Sequence, residues 1–328
     1  MKTFLKVAGI VLLVVVALAA IGVTFLLLKK PAQRPATTEK FEATPQRLAR
    51  GRYLVHHVSD CVGCHSDHLL TYAIPIKPGT LGMGGLEFNE GMGFPGVLRA
   101  QNITSDPATG LGNWTDGEIL RAMREGVDRD GNALFPMMPY QHLRQMSDED
   151  AKSIVVYLRT LAPIKNEVPK SQLKFPLNVI VKFIPQPLDG PVSAPDPKDR
   201  LAYGKYLTTI GGCYECHTPH DEKNQIVAAK AFAGGWEMKG VWGRNYTANL
   251  TPHPSTFVGR ATREEWIARF RAFATMNASN APAVPKGGNT VMPWLAYSGM
   301  TDEDLGAIYD YLRTVPPVKN DVRTFPDR

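Results

Sequence analysis

The hydrophobic positions of this chain fall into one unbroken run near the amino terminus and, beyond it, two stretches of helical period. The run VAGIVLLVVVALAAIGVTFLLL extends from Val7 to Leu28 without a charge, with Lys2 and Lys6 before it and Lys29 and Lys30 after it. About 20 apolar residues suffice for a helix to cross a bilayer. The apolar region of a cleaved signal peptide is shorter, roughly 7 to 15 residues, although Ala17-Leu18-Ala19 supplies its small-residue pattern. Residues 1–30 are therefore expected to form an uncleaved transmembrane anchor. Lysines flank it on both sides, so the positive-inside rule leaves its orientation open.

Past residue 45 the apolar positions recur with the spacing of amphipathic helices. One helix is expected to start at Thr44-Pro45, an N-cap followed by a proline at the first helical position. A second follows the capping box of Thr115 with Glu118. A third opens at Ser147 and buries Ala151, Ile154, Val155 and Leu158. The same signals return downstream in Thr262 with Glu265, and in Thr301 followed by Leu305, Ile308, Tyr309 and Leu312.

The echo is an internal repeat. MMPYQHLRQMSDEDAKSIVVYLRTLAPIKN matches VMPWLAYSGMTDEDLGAIYDYLRTVPPVKN at a constant offset of 154, and GRYLVHHVSDCVGCH matches GKYLTTIGGCYECH. The pattern predicts an all-α module that occurs twice, at 46–168 and 199–328. A linker at 31–45 follows the anchor, and a proline-rich linker at 169–198 separates the modules. The glycine-rich GMGFPG, Gly91 to Gly96, fits a nucleotide-loop spacing. Without a strand before it, and with Pro95 where a helix would start, it is read as an ordinary loop.

All four cysteines lie in CVGCH (Cys61, Cys64, His65) and CYECH (Cys213, Cys216, His217). C-x-x-C-H is the attachment pattern of c-type haem. Two thiols on one helical turn each add to a vinyl group, and the following imidazole lies under the iron. The rivals are a disulfide across each pair, a thioredoxin-like redox pair and a zinc site. Zinc needs four ligands, and no further Cys or paired His stands at finger spacing. Two covalently bound haem c groups are expected, and since haem is attached outside the bacterial cytoplasm, the modules face the periplasm.

A second axial ligand that serves both modules must recur in the repeat. Met137 falls opposite Val291 and His142 opposite Ala296, so both drop out. Met146 and Met300 precede helix N-caps, where a hydrophobic staple is reason enough for them. Met138 and Met292 each precede a proline that holds the chain extended. The expected axial pairs are His65 with Met138 and His217 with Met292. Met83, Met92 and Met238 are lesser alternatives, and His56, His57, His68, His220 and His253 are read as surface or locally hydrogen-bonded residues.

Charge adds little. The formal net charge is +6, of which Lys2 and Lys6 belong to the anchor, and four haem propionates would offset most of the rest. No basic run interleaved with aromatics is present, which speaks against nucleic acid as a partner.

With RGRYL, CVGCH, NITSDPATGLGNWTDGEI, FPMMPY and SDEDAKSIVVYLRTL together, the chain resembles the cytochrome c subunits of bacterial membrane-bound alcohol and gluconate dehydrogenases from about residue 45 onward. The linker phrase LKFPLN and the second-site CHTPH are similar as well. The resemblance implies a class I cytochrome c fold for each module, with first and last helices crossing at Gly51 or Gly204. It also implies that Asn102 and Thr104, Asn249 and Thr251, and in the first module Trp114, line the haem edge and propionates. That family commonly carries three haem modules, whereas this chain has two, and an amino-terminal anchor is not its usual membrane attachment.

His/Met ligation fills both axial positions and suits an iron that passes electrons. The expected function is therefore electron carriage in a periplasmic respiratory chain, from a dehydrogenase or quinol-oxidising complex to another cytochrome or terminal oxidase. The rival is a dihaem peroxidase, which needs one open or displaceable site.

Overall fold

The computed structural model describes residues 1–222, 224–240, 243–286 and 288–326. It is helical, with one long apolar amino-terminal helix, α1 (Lys2–Leu28), none of whose span from Thr3 to Leu28 is buried in the protein. The segment after it is strapped down rather than loose. Lys30 Nζ donates to Asn132 Oδ1 at 2.7 Å, Arg34 pairs with Glu125, and the Phe41 amide donates to Asp116 at 2.8 Å while its ring is buried.

The first set of helices comprises α2 (Pro45–Tyr53), the short attachment turn α3 (Cys61–Cys64), α4 (Asp116–Glu125), α5 (Tyr140–Leu143) and α6 (Asp148–Leu158). Thr44 caps α2, Thr115 and Glu118 close the capping box of α4, and Ser147 caps α6. A small turn, α7 (Leu177–Ile180), lies in the connecting segment. The second set repeats the order: α8 (Arg200–Ile210), α9 (Cys213–His217), α10 (Phe257–Arg260), α11 (Arg263–Arg271), α12 (Trp294–Tyr297) and α13 (Asp302–Leu312). Thr262 with Glu265 and Thr301 cap α11 and α13.

In each half the first helix crosses the last at a glycine. A Cβ on Gly51 would collide with the Ser153 carbonyl and come within 2.7 Å of the Tyr157 Cβ. One on Gly204 would collide with the Ala307 carbonyl and come within 3.0 Å of the Tyr311 Cβ. The crossings are thus backbone to backbone, and the stripes Ala151, Ile154, Val155 and Leu158, with Leu305, Ile308 and Leu312, are buried beneath them.

The halves differ where α2 ends. One residue more separates Gly51 from Cys61 than Gly204 from Cys213. The first half absorbs it in a π-turn, Leu54–Val58, closed by the Ser59 amide on the Leu54 carbonyl at 2.9 Å, whereas α8 runs on as a regular helix. A π-turn is how a helix takes in a single extra residue without losing its direction.

Two expectations need correction. The chain is not wholly α: β1 (Glu87–Phe88), β2 (Gly96–Arg99) and β3 (Gln172–Leu173) form an antiparallel sheet in that order, and β4 (Glu237–Gly240) pairs with β5 (Gly243–Tyr246). The stretch 169–198 is consequently not a free linker, because β3 pairs onto β2. A two-residue strand also precedes GMGFPG, and that loop leads into β2 rather than into the helix a nucleotide would need. These strands are too short to show as alternation in sequence.

Gly204→Ala should lower stability by about 1–3 kcal/mol through overpacking against backbone that cannot move away. Gly190→Ala, where nothing lies within 4 Å, should stay within about 0.5 kcal/mol. Denaturant midpoints of the two variants check the contrast.

Candidate haem-binding sites

Each attachment turn is entered through left-handed backbone. Asp60 (φ 44) caps α3, its side chain accepting from the Gly63 amide at 3.1 Å. Gly212 (φ 68) holds the same place before α9. Asp is among the few side chains that tolerate this region, and Gly adopts it freely. Burial pushes the Asp60 carboxyl up to about 7.

All four cysteines are free thiols in this structure. Cys61 and Cys213 pack on the rim of the hydrophobic core, and burial pushes both up to about 12. Among the described residues no three His, Cys, Asp or Glu side chains converge as a metal cluster.

The two imidazoles are aimed identically. His65 Nδ1 donates to the Gln101 carbonyl at 2.6 Å and His217 Nδ1 to the Ala248 carbonyl at 2.8 Å. A carbonyl can only accept, so the proton sits on Nδ1 and the lone pair of Nε2 is free for a metal. Burial lowers both imidazole pKa values and keeps the rings neutral.

The accepting carbonyls belong to the residues just before Asn102 and Asn249, and these asparagines hold them in place. Asn102 Nδ2 donates to the Ile164 carbonyl at 2.7 Å, and its Oδ1 accepts from the Thr104 amide and hydroxyl at 2.9 and 2.7 Å. Asn249 repeats this with the Val318 carbonyl at 2.9 Å and with Thr251 at 2.9 and 2.8 Å. All four side chains are buried. Their hydrogen bonds thus go to the chain's own backbone and tie the loop under each imidazole to the segment after the last helix. Trp114 is half-buried against the core, with the Arg129 guanidinium 5.9 Å from its ring.

The methionines separate by burial. Met146 and Met300 are 0% and 3% exposed, inside the core. Met138 and Met292 are only partly buried, at the core's edge, each one residue before the proline that caps α5 or α12. Their carbonyls accept from the Tyr140 and Trp294 amides at 2.8 and 2.7 Å, so the two Met-Pro corners share one backbone arrangement. Met92 and Met238 sit in a 3-10 turn and in β4. The remaining histidines have other partners: His56 bonds the Tyr157 hydroxyl, His57 the Ala296 carbonyl, His142 Glu215 and His253 Ser255, while His220 stacks on Trp236.

The chain matches no family model. It is similar to the cytochrome c subunit of the quinone-dependent alcohol dehydrogenase of Gluconacetobacter polyoxogenes, 31% identical over 291 residues, covering 84% of this chain and 58% of that subunit. The fructose dehydrogenase cytochrome subunit of Gluconobacter japonicus is 30% identical over 305 residues, 89% of this chain and 58% of its own length. Several dehydrogenase cytochrome c subunits are thus homologous to this chain at about 30% identity over most of its length. A protein of Cereibacter sphaeroides named as a diheme cytochrome c-type is 27% identical over 229 residues, 68% of this chain and 73% of its own length. The cytochrome spans a little under three fifths of the dehydrogenase subunits, 58% in both cases above.

Sequence reasoning missed how the cytochrome joins its halves. The Tyr53 hydroxyl donates to Asp304 at 2.7 Å and accepts from the Thr301 amide at 3.1 Å. The Tyr206 hydroxyl donates to Asp150 at 2.7 Å and accepts from the Ser147 amide at 3.1 Å. Each half thus presents a tyrosine to the start of the other half's last helix, a self-complementary, pseudo-two-fold contact. Tyr53 and Tyr206 occupy equivalent places in the repeat, and that equivalence was the available signal.

Within the second half, the Tyr297 hydroxyl donates to the Gly211 carbonyl at 2.7 Å. It is within electrostatic reach of Asp60, Cys64, Cys213 and Cys216, as Cys64 is of Cys216. The two attachment turns therefore meet. Free thiols on one turn, an imidazole with a free Nε2 and a methionine at the core's edge recur in both halves, and this donor set fits haem c.

Asn249→Ala should cost about 1–3 kcal/mol, because it leaves a buried carbonyl and the Thr251 amide without partners. A denaturation midpoint unchanged from the parent would show that the asparagine holds nothing.

Proposed function

We propose that the cytochrome is a membrane-anchored dihaem electron carrier built of two tandem class I cytochrome c domains, 46–168 and 199–328, behind α1. The observation that carries this reading is the duplication of one donor set: Cys61, Cys64, His65 and Met138 in one half, Cys213, Cys216, His217 and Met292 in the other. The cysteines would hold the haem by thioether bonds, and the histidine and methionine would close its two axial positions.

When bound, each haem supplies a one-electron iron couple, raised in potential by a Met/His pair. The protein's part is to hold each imidazole by its Nδ1 hydrogen bond, to aim the methionine from a proline-stiffened corner, and to keep water from the buried side of the site. The Tyr53 and Tyr206 contacts between the halves would keep the two attachment turns in a fixed relation, as a relay between two centres needs.

The anchor would lie in the bacterial cytoplasmic membrane with the haem domains in the periplasm, the side on which haem is attached. Electrons would come from a dehydrogenase or quinol-oxidising complex and go to another cytochrome or a terminal oxidase. The relatives named as dehydrogenase subunits support such a donor. A peroxidase would need an open iron, and the Met-Pro corner in both halves speaks against one.

Intact mass should exceed that of the 328-residue chain by two haems; one haem or none would refute the dihaem reading. Met138→Ala should open one iron, lower its potential and remove half of the ferric sulfur-to-iron charge-transfer band. Met146→Ala should keep the whole band and lose about 2–5 kcal/mol of stability, as a fully buried side chain does. The reverse outcome for the two variants would exchange their roles.

A further inference from the structure

The segment from Phe175 to Phe183, FPLNVIVKF, serves neither haem site. It contains α7 and a following 3-10 turn, Val181–Phe183. Val181 is buried against the protein, yet Phe175, Ile180 and Phe183 are 81%, 46% and 49% exposed. Three large apolar side chains on so short a stretch are not accounted for by packing.

Its position accounts for them. Lys182 Nζ donates to the Leu27 carbonyl at 2.7 Å and the Leu26 carbonyl at 3.3 Å, in the last turn of α1. Lys29 Nζ stands 5.3 Å from the centre of the Phe183 ring and 5.9 Å from that of Phe25. Phe183, at the end of this stretch, is thus held level with the end of the apolar span, where the hydrocarbon of a bilayer gives way to headgroups. Stretch 169–183 carries Lys170, Lys174 and Lys182 and no acid of its own; Lys174 and Lys170 form exposed surface pairs with Glu90 at 2.6 Å and Asp130 at 3.7 Å, and exposed lysines at such a border suit anionic headgroups. The segment is fixed there from the other side as well, since the Lys174 amide donates to the Pro95 carbonyl and β3 pairs with β2.

We propose that this segment is a second membrane contact, an interfacial foot that inserts Phe175, Ile180 and Phe183 among lipid headgroups and upper acyl chains beside α1. An apolar face with lysines at its border is the pattern of elements that lie in the interface without crossing it. The foot fixes the tilt of the haem domains over the membrane, which one flexible helix could not do. The inference rests on α1 spanning the bilayer.

The test uses the haem-loaded full chain alone in vesicles of phosphatidylethanolamine and phosphatidylglycerol, the latter carrying a photoactivatable diazirine high on the acyl chain. After illumination, adducts are mapped by mass spectrometry. We expect adducts on 175–183 at least tenfold above those around Leu70 and Leu201, exposed apolar residues that lie outside the proposed foot. Adducts on α1 with 175–183 at the background of Leu70 and Leu201 would overturn the foot, and would assign the patch to a protein partner instead. Absence of adducts on α1 as well would overturn the anchor itself, and the foot with it.

Discussion

The arrangement of the two halves depends on a pair of buried hydroxyl-to-carboxylate hydrogen bonds, Tyr53 to Asp304 and Tyr206 to Asp150. Burial, reinforced by the neighbouring aspartate, raises both phenol pKa values, so each tyrosine stays a proton donor. A hydrogen bond to a charged acceptor is worth about 1.5–3 kcal/mol, and Asp150 is held by the Arg50 guanidinium as well, at 2.8 Å through each oxygen. The same hydroxyls satisfy backbone amides at the helix starts, so the contact leaves little room for rotation. Two modules that could have been beads on a linker are fixed face to face.

That restriction gives the attachment turns their relation. Within the second half Tyr297 donates to the Gly211 carbonyl and stands within electrostatic reach of Cys64, Cys213 and Cys216, where the first half has Leu143 at the matching position. The duplication is therefore not strictly symmetric at its centre. The asymmetry continues at His57, whose ring lies where any side chain on Gly299 would have to stand.

Around each site the protein spends its buried polar groups on the backbone. Asn102 with Thr104, and Asn249 with Thr251, saturate one another and the carbonyls after the last helix. The loop carbonyl ahead of each asparagine then has one direction, toward the imidazole. The resemblance suggested that these residues face the haem edge; the hydrogen bonds give them work one step further out, in orienting the residue that holds the ligand.

Much of this was legible in the residues themselves. Helix starts at Thr44, Thr115, Ser147, Thr262 and Thr301 are local hydrogen-bond patterns that need no tertiary context, and they stand where the caps predicted. The haem motifs and the repeat are likewise matters of spacing along one chain, and the repeat left two methionine pairs, Met138 with Met292 and Met146 with Met300, between which the following prolines and helix N-caps made the choice. Only the folded chain decided the rest. Strands of two to four residues carry too few positions for a period to show, so β1 to β5 and the pairing of the supposed linker were invisible. Tyr53 and Asp304 lie 251 residues apart, and no local propensity joins such partners. Contacts between the halves and beside the membrane helix come from shape and burial, which exist only once the chain has closed on itself.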